Sequence, residues 1–401
     1  MTGATMTTVG AVLQRIEAGR STKTLERPAK DGELGILRVS AVTWGEFRPG
    51  ENKAMPLDYD PGNVPRPMKG DILISRANTR ELVGAPVMVE ADHPNLLLSD
   101  KILRLVPDCN IVVPRYLLRA LRSSIAASHF SQCAGGTSGS MTNITQGDIR
   151  ATPLRLPSLP EQRRIAAILD KADTLRAKRR DVIAKLNQML QSVFLEMFGD
   201  PVTNPKEWPE KLLSEVVNQG TIVTYGIVQA GKEFPGGTPY IRTGDIAAGE
   251  IVEVGLRRTD PVIAKKFSRS RVEAGDIVMS IRATVGTTAL VPKSLDGANL
   301  TQGTARIAVG EKIARNFALH HLRSAGTQRW IERQVKGATF REITLGRLRE
   351  LPMMIPPRIL QDKFDLICQH VSTSALASQS SLAGLEKLFT SLQQQAFEGK
   401  L

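Results

Sequence analysis

This sequence has few cysteines and no long apolar run, and its first residues do not resemble a secretion leader. Three cysteines occur in 401 residues, at Cys109, Cys133 and Cys368, and their wide spacing and odd number argue against a disulfide framework and against a zinc site. No run of about eighteen apolar residues is present, and residues 1–10 do not combine a charged and an apolar segment as a signal peptide does. We therefore expect a cytoplasmic protein with reduced thiols.

Motifs for catalysis are also missing. Gly226–Lys232 has the glycine and lysine spacing of a phosphate-binding loop, but Glu233 follows where a Ser or Thr must hold magnesium, and the Phe-Pro-Gly-Gly after it cannot open a helix. A nuclease carboxylate set would need residues such as Asp31, Glu51 and Lys53, and such triples arise by chance in a charged chain. The five histidines lack metal-ligand spacing. The sequence therefore offers no catalytic or metal site.

Positive charge is abundant. The chain has 53 basic and 40 acidic residues, a formal net charge of +13 and a pI near 9.8. Such a field favours polyanions, and nucleic acid is the first candidate. The basic residues are spread over both halves, as expected if a folded surface does the binding. A basic protein with no such role is the alternative that charge alone leaves open.

The central stretch predicts one long helix, Leu159–Phe198. Ser158 and Glu161 have capping-box spacing, and Gly199 followed by Pro201 ends the pattern. At about 1.5 Å per residue the helix would be roughly 58 Å long, so it needs a partner helix. Its apolar residues alternate by three and four as in a coiled coil. The predicted seam is Ile165, Ile168, Ala172, Leu175, Val182, Leu186, Met189 and Val193, with Arg179 at one seam position.

An internal repeat organises the chain. Gly70–Arg76 aligns with Gly275–Ile281 at an offset of 205, and Tyr116–Ser123 aligns with Phe317–Ser324 as a short amphipathic helix. An Ile-Thr pair recurs after each of these segments, so the chain is a tandem duplication. Each copy is expected to open with a short helix, at Val9–Glu17 and Leu212–Val217. Short β-branched strands at Asp71–Ser75 and Asp276–Ser280 then predict a compact α+β head with a strongly bent sheet.

A second long helix is expected over residues 358–401, after Pro356-Pro357. We expect it to pair with the first helix as an antiparallel coiled coil, which gives an α+β fold of two similar heads with an internal pseudo-twofold repeat. The corresponding segments are 1–157 and 201–357 for the heads, and 158–200 and 358–401 for the helices. The apolar stripe of the second helix is Phe364, Ile367, Val371, Leu382, Leu385, Phe389, Leu392 and Ala396.

Polar and basic loops follow the same strand, or precede the same Ile-Thr, in each copy. Arg and Asn side chains read guanine and adenine edges, whereas Ser, Thr and backbone amides favour phosphates. Solvated turns are the alternative interpretation. The candidate DNA-binding residues are Arg76, Asn78, Thr79, Arg80, Thr137, Ser138, Ser140, Arg282, Thr284, Lys336, Thr339 and Arg341.

Several stretches together resemble the specificity (S) subunits of type I restriction-modification enzymes. The Leu-Pro-Ser-Leu-Pro-Glu-Gln run that begins at Leu156 leads into the long helix, which ends in Phe-Gly-Asp-Pro at Pro201. The Tyr-Gly-Ile-Val-Gln segment from Tyr225, the Gly-Asp-Ile in each head and the Leu-Phe-Thr-Ser-Leu-Gln-Gln-Gln-Ala-Phe ending at Phe397 also match. Residues 357–361 depart from the Pro-x-x-Glu-Gln form. The resemblance covers nearly the whole chain.

The resemblance implies two target-recognition domains, each reading one half of a bipartite DNA sequence, with the paired helices as spacer and docking platform. It also implies that the chain has no activity alone. Methyltransferase (M) subunits, expected to number two, would dock on the helices and bring S-adenosylmethionine. Restriction (R) subunits would add translocation and cleavage driven by ATP, with Mg. A structural protein whose heads bind something other than DNA is the second hypothesis, and an enzyme acting alone is the third.

Overall fold

The structure, a computed structural model, describes residues 5–138, 141–337 and 341–401. The chain divides into two compact units. Unit 1 consists of Met1–Arg179 with Ser381–Leu401, and unit 2 consists of Arg180–Ser380. Each unit therefore contains one head, one end of the first long helix and the opposite end of the second. The four-segment division given above stays a prediction, because these units follow packing and not function.

In unit 1, short strands and helices alternate before the first long helix. They are β1 (Thr5–Thr8), a 3-10 turn (Val9–Val12), β2 (Leu13–Ala18), β3 (Gly35–Leu37), α1 (Ser40–Thr43), β4 (Asn52–Ala54), β5 (Ile72–Ser75), β6 (Ala77–Asn78), β7 (Pro86–Met88), β8 (Leu96–Leu97), β9 (Ile102–Pro107), α2 (Pro114–Leu121), α3 (Ser124–Cys133), β10 (Gly135–Ser138), β11 (Met141–Asn143), α4 (Gln146–Ala151), β12 (Pro153–Leu156) and α5 (Leu159–Phe198).

Unit 2 repeats this order with small differences. Its elements are β13 (Glu210–Leu212), α6 (Leu213–Val216), β14 (Thr224–Tyr225), β15 (Thr238–Ile241), β16 (Ile246–Ala247), β17 (Glu250–Ile251), β18 (Arg258–Thr259), α7 (Pro261–Lys266), β19 (Ile277–Ser280), β20 (Thr288–Leu290), β21 (Asn299–Leu300), β22 (Thr304–Ile307), α8 (Arg315–Arg323), α9 (Ala325–Gln334), α10 (Leu345–Arg349), β23 (Pro352–Met354) and α11 (Arg358–Glu398), with 3-10 turns at Thr243–Asp245, Ser268–Ser270 and Lys293–Leu295.

The sheets of the two heads have the same topology. An antiparallel sheet β2-β9-β5-β7 in unit 1 corresponds to β14-β22-β19-β20 in unit 2. A second sheet, β4-β3-β8, corresponds to β18-β15-β21. Strands β3 and β8 pair in parallel, and so do the corresponding strands β15 and β21. The ribbon β1-β12 corresponds to β13-β23. Tandem duplication thus extends from sequence to strand order. The strands of each head form several small sheets, and the α+β character expected of the heads is confirmed.

The segment Val9–Glu17 is not the predicted helix. Val9–Val12 forms a 3-10 turn, and the chain then continues as strand β2, which pairs antiparallel with β9 from Leu13 onwards. Buried Val9, Val12 and Leu13 have spacing that suits a helix, yet the same residues reach the core from a turn and a strand. Strand pairing therefore outweighs the local pattern. The second copy does form the expected short helix, over Leu213–Val216.

The Gly-Asp-Ile that begins a strand in each head has a structural role. Asp71 lies 3.0 Å from Arg104 on β9, and Asp276 lies 2.6 Å from Arg306 on β22. Each carboxylate also accepts a backbone N–H three residues earlier, at 2.8 Å. Burial raises the pKa of both carboxyl groups even though these hydrogen bonds and the arginines oppose it. The aspartate fixes the turn before the strand and neutralises an arginine that is half-buried in the first head and buried in the second.

The least exposed residues of α5 recur every three and four positions, but not on the predicted face. The seam comprises Ile165, Leu169, Ala172, Arg176, Arg179, Ile183, Leu186, Leu190, Val193 and Met197. The prediction was wrong at Leu175, Val182 and Met189, whose exposed fractions are 45%, 40% and 44%. Ile168, also predicted, is half-buried. The neighbouring seam position is an arginine, Arg176, which an apolar pattern overlooks.

Arg176 suits a seam position because its charge is neutralised within unit 1. Its guanidinium lies 4.3 Å from the centre of the Phe389 ring and 3.0 Å from Asp173. Such a cation over an aromatic face is favourable when partly desolvated. On α11, the least exposed face includes Phe364, Val371, Leu382, Leu385, Phe389, Leu392 and Ala396 as expected, whereas the half-buried Ile367 yields its seam position to the buried Cys368.

The ends of α5 and α11 are part of the core of each unit. In unit 1, Ile165 and Leu169 pack in one cluster with Ala396 and Phe397. Since Arg176 meets Phe389, the two helices run antiparallel there. In unit 2, Phe194 and Phe198 stack edge to face with Phe364 at 5.6 Å. Among the described residues, no helix combines the length and apolar content that crossing a bilayer requires.

Candidate nucleic-acid interface

Asn78, Thr137 and Ser138, predicted to bind DNA in the first head, lie in one small sheet, and Arg76, Thr79 and Arg80 flank its strand β6. Strand β6 pairs with β11, which also pairs with β10. The Ile144 N–H donates to the carbonyl of Arg76 at 2.9 Å, so the two candidate loops are joined. Thr137 and Ser138 lie in β10. Ser140 lies outside the described residues.

The second head has the same arrangement. Glu342 forms antiparallel bridges with both Arg282 and Lys336. The Ile343 N–H donates to the carbonyl of Ile281 at 3.0 Å, as Ile144 does to Arg76 in the first head. Thr339 lies outside the described residues. The structure therefore brings together, in each head, the two loops that the sequence repeat placed in parallel.

The side chains of the first-head candidates differ in their freedom. The Asn78 amide donates to Thr43 Oγ1 at 3.1 Å, and its oxygen accepts the Thr79 N–H at 2.9 Å. Both ends of Asn78 are therefore held within the protein. Arg76 and Thr79 are half-buried, and Arg80 is exposed. Arg80 is the candidate of this loop that is most accessible to a ligand.

The second-head arginines are paired with carboxylates. Arg282 Nε lies 2.8 Å from Glu342, and Arg341 pairs with Glu332. All four side chains are substantially exposed, and such surface pairs are worth about 0–1 kcal/mol. A phosphate could replace either carboxylate at small cost. Thr284 and Lys336 are exposed.

Two further arginines, which the sequence analysis did not select, are structural. Arg122 donates to the carbonyls of Gly45 and Pro86, and Arg323 donates to the carbonyls of Gly249 and Thr288. Burial lowers the pKa of both guanidinium groups. Arg122 directly follows α2 and Arg323 is the last residue of α8, so the two occupy equivalent places. The Leu-Arg-Ser triplet that contains each of them recurs in the aligned segments, and this recurrence could have identified them from the sequence. These cations fasten loops of each head and are not available to a ligand.

The residues considered for catalysis do not form a site. Glu51 accepts from Ser40 at 2.7 Å, while Lys53 pairs with Glu26 at 2.6 Å. The phosphate-loop lookalike at Gly226–Lys232 is not followed by a helix, since β15 comes next. Among the described residues, no three His, Cys, Asp or Glu side chains gather as a metal site would require.

A family model described as type I restriction modification DNA specificity domain matches this chain twice, at residues 20–188 and 205–371. These matches cover most of the sequence. Each contains most of one head, and the first begins just after β2. The chain belongs to this family. The double match agrees with the paired arginine and aspartate and the strand order that occur in both units.

Known members of the family are similar over much of the chain. The type I restriction enzyme EcoBI specificity subunit of Escherichia coli is 24% identical over 335 residues, which cover 76% of this chain and 69% of that protein. The EcoEI specificity subunit of Escherichia coli is 28% identical over 167 residues, covering 40% of this chain and 27% of that protein.

The fold is also found among solved structures. A chain from a study of complex assembly and conformational transition in the type I R-M system has a TM-score of 0.56 and 19% identity, and the match covers 100% of this chain and 98% of that chain. At this identity the likeness concerns the fold. The predicted architecture of two related heads with long helices is therefore confirmed.

Proposed function

We propose that this chain reads DNA sequence for a type I restriction-modification complex, with each head recognising one half of a bipartite target. The observation that carries the proposal is the repetition of one scaffold in two heads, each with an exposed basic loop surface. The net charge of +13 supports a polyanionic ligand. Two heads on one chain are what a two-part target would require.

The long helices would act as the spacer between the half-sites. Half-sites roughly 10 bp apart, centre to centre, would present the same face of the duplex to both heads. The 40-residue α5 lies between the two heads in the sequence. Its length would therefore set the number of unspecified bases between the half-sites.

The face of α5 opposite its seam supports docking of methyltransferase subunits. Leu175, Val182 and Met189 are exposed and spaced by seven residues, which places them in one row along the helix. Lys171, Lys178 and Lys185 form a second exposed row beside them. A partner helix with apolar and acidic residues would cover both rows. We propose that two methyltransferase subunits bind in this region, and that restriction subunits join through the complex.

In this proposal the chain itself is non-catalytic. S-adenosylmethionine, ATP and Mg would be held by partner subunits, which would supply methylation and cleavage. The protein would act in the cytoplasm, where the DNA of a bacterial host is located. Of the residues considered for nuclease chemistry, Glu51 accepts a hydrogen bond from Ser40 and Lys53 pairs with Glu26, which supports this division of labour.

Methylome sequencing tests the proposed function. A host carrying this chain with its methyltransferase subunit should methylate a two-part motif with a fixed gap. Replacing residues 1–157 with the head of another family member should change one half of the motif and leave the other half and the gap unchanged. Absence of a motif would contradict the DNA-reading function, and a change in both halves would contradict independent heads.

A further inference from the structure

Each head has a glycine at which a loop leaves the main sheet in direct contact with a neighbouring strand. A Cβ on Gly19 would lie 2.0 Å from the carbonyl oxygen of Leu98, and a Cβ on Gly226 would lie 1.9 Å from that of Leu300. No side chain fits at such distances. The residue after each glycine then forms a parallel bridge to the strand region it contacts. Each loop therefore begins at the equivalent, closely packed glycine of its own head.

These two loops differ in sequence although their frames agree. The first loop covers residues 20–34, RSTKTLERPAKDGEL, and returns at β3; the second covers residues 227–237, IVQAGKEFPGG, and returns at β15. By contrast, side chains that hold the loops of each head through hydrogen bonds recur as the same residue type, as Arg122 and Arg323 do. A constant frame with a divergent loop is the pattern expected where two heads bind different sequences.

The second loop presents aromatic and polar groups to solvent. Phe234 is 42% exposed, and Tyr225 just before the loop is 44% exposed. Gln229 and Lys232 are exposed as well. The loop is held from behind, because the Thr259 hydroxyl donates to the Ala230 carbonyl at 2.7 Å. A supported loop with exposed side chains is suited to contact a rigid ligand.

A basic surface adjoins this loop. The neighbouring segment 257–270 bears exposed Lys265, Lys266 and Arg269. The acidic residues of the same region accept backbone N–H groups: Glu233 that of Arg258 at 2.9 Å, and Asp260 that of Val262 at 2.7 Å. Both carboxylates remain charged, but the three exposed cations outnumber them, so phosphates would meet net positive charge here, whereas Arg282 and Arg341 must first leave their carboxylates.

The first loop has a comparable composition. Arg20, Lys23 and Lys30 are exposed. Arg27 and Glu33 pair at 2.6 Å and brace the loop from within. The first loop thus has an ion pair that holds it from within and basic side chains that are exposed to solvent. The second loop likewise combines a supporting hydrogen bond with exposed side chains. The shared design indicates a shared role in the two heads.

We propose that the loops 20–34 and 227–237 carry the base-reading residues of the two heads, with segment 257–270 contacting phosphates beside the second loop. The inference rests on the proposed function. Beyond the family segment that ends at Gln229, Lys232 could pair with guanine or phosphate, and Phe234 could contact a thymine methyl group in the major groove. The sheet that contains Asn78 in the first head, and the bridges of Arg282 and Lys336 to Glu342 in the second, would then mainly support these loops.

The test uses the full chain in complex with its methyltransferase subunit, and a pool of duplexes with randomised positions as the probe. Selected duplexes are sequenced, and affinity for the wild-type consensus is measured. We expect Lys232→Ala and Phe234→Ala to change preferences in one half-site and weaken binding by about 5- to 100-fold. Lys23→Ala and Lys30→Ala should affect the other half-site. Lys293→Ala, an exposed lysine outside the loop, is the matched control.

The outcomes separate the inference from the proposed function. If the wild-type complex selects a two-part sequence and all loop variants select the same sequence with unchanged affinity, the loops do not read bases and the inference is overturned. If the wild-type complex selects no sequence, the proposed function fails and the inference fails with it. Circular dichroism of each variant distinguishes a lost contact from a lost fold.

Discussion

Gln162 on α5 and Gln361 on α11 make the same buried hydrogen bonds in their respective units. The Val113 N–H donates to the Gln162 side-chain oxygen at 2.8 Å, and the Ala314 N–H donates to that of Gln361 at 2.7 Å. Each amide nitrogen donates to the carbonyl of a proline five residues earlier, at 2.9 and 2.8 Å. Both side chains are 1% exposed. Each glutamine thus joins the start of a long helix to its head.

Gln361→Ala is expected to lower the free energy of unfolding by about 1–3 kcal/mol, because it leaves the Ala314 N–H and the Pro356 carbonyl buried without their partner. Denaturant titration of the full chain checks this. Gln379→Ala, which removes an exposed glutamine from the same helix, should change stability by less than about 0.5 kcal/mol. Equal effects of the two substitutions would show that the buried amide has no special role.

Arg119→Met is expected to destabilise unit 1. Arg119 is 5% exposed and lies 2.7 Å from Asp170 and 2.9 Å from Asp173, which joins α2 to α5. Its loss leaves Asp170 without its cation, whereas Asp173 keeps its pair with Arg176. The carboxylates are about a third exposed, so we expect a loss of about 1–3 kcal/mol, less than for a fully buried pair.

A double-mutant cycle tests the origin of that loss. Adding Asp170→Asn to Arg119→Met should recover part of the stability, because the carboxylate that lost its cation is then neutral. Asp170→Asn alone should destabilise the wild-type protein. Strictly additive effects in the denaturation midpoints would argue that Arg119 acts by packing alone.

Acidic pH should destabilise unit 2 through two buried histidines. Burial lowers the pKa of His320 to about 4 and that of His321 to about 3, from 6.5. His320 packs against Phe194 and Phe364. Because the unfolded chain takes up these protons first, stability is full above pH 6.5 and falls as pH drops towards 4, by about 1.4 kcal/mol per pH unit for each imidazole.

The histidine prediction is checked by denaturant titrations at pH 7, 6 and 5. His320→Leu should reduce the slope, since leucine has no proton to gain and suits the apolar surroundings. His370→Gln changes an exposed histidine of α11 and should leave the slope unchanged. An identical pH dependence in the wild-type protein and His320→Leu would contradict the assignment.

The sequence predicted those features that local chemistry determines. The bounds Leu159–Phe198 agree with the structure because Ser158 and Gly199 are strong end signals. The seam phase was wrong because Arg176 is buried through Phe389, a contact that lies more than two hundred residues away along the chain. Likewise, Asn78 looked free to read a base, and only the tertiary structure shows its amide bound to Thr43. Contacts between distant segments carry no local pattern.

Residues 357–361 depart from the family motif but keep its glutamine. Helix α11 begins at Arg358, and Gln361 takes the place of the motif's glutamine while Leu360 replaces its glutamate. In the first copy that glutamate, Glu161, makes an exposed pair with Arg164 at 2.8 Å. The buried glutamine and its hydrogen bonds therefore recur in both copies, whereas the exposed glutamate does not.

Lengthening both helices should lengthen the gap between the half-sites. Seven residues inserted after Arg179 in α5 and seven in α11 after Ser380 preserve the three-four seam and add about 10.5 Å. This corresponds to about three base pairs at 3.4 Å each. Methylome sequencing should then show unchanged half-sites with a longer gap. Four-residue insertions at the same places shift the seam, so an outward-facing residue such as Val182 would rotate towards the partner helix, and we expect loss of stability instead. An unchanged gap with the seven-residue insertions would contradict the spacer role of the helices.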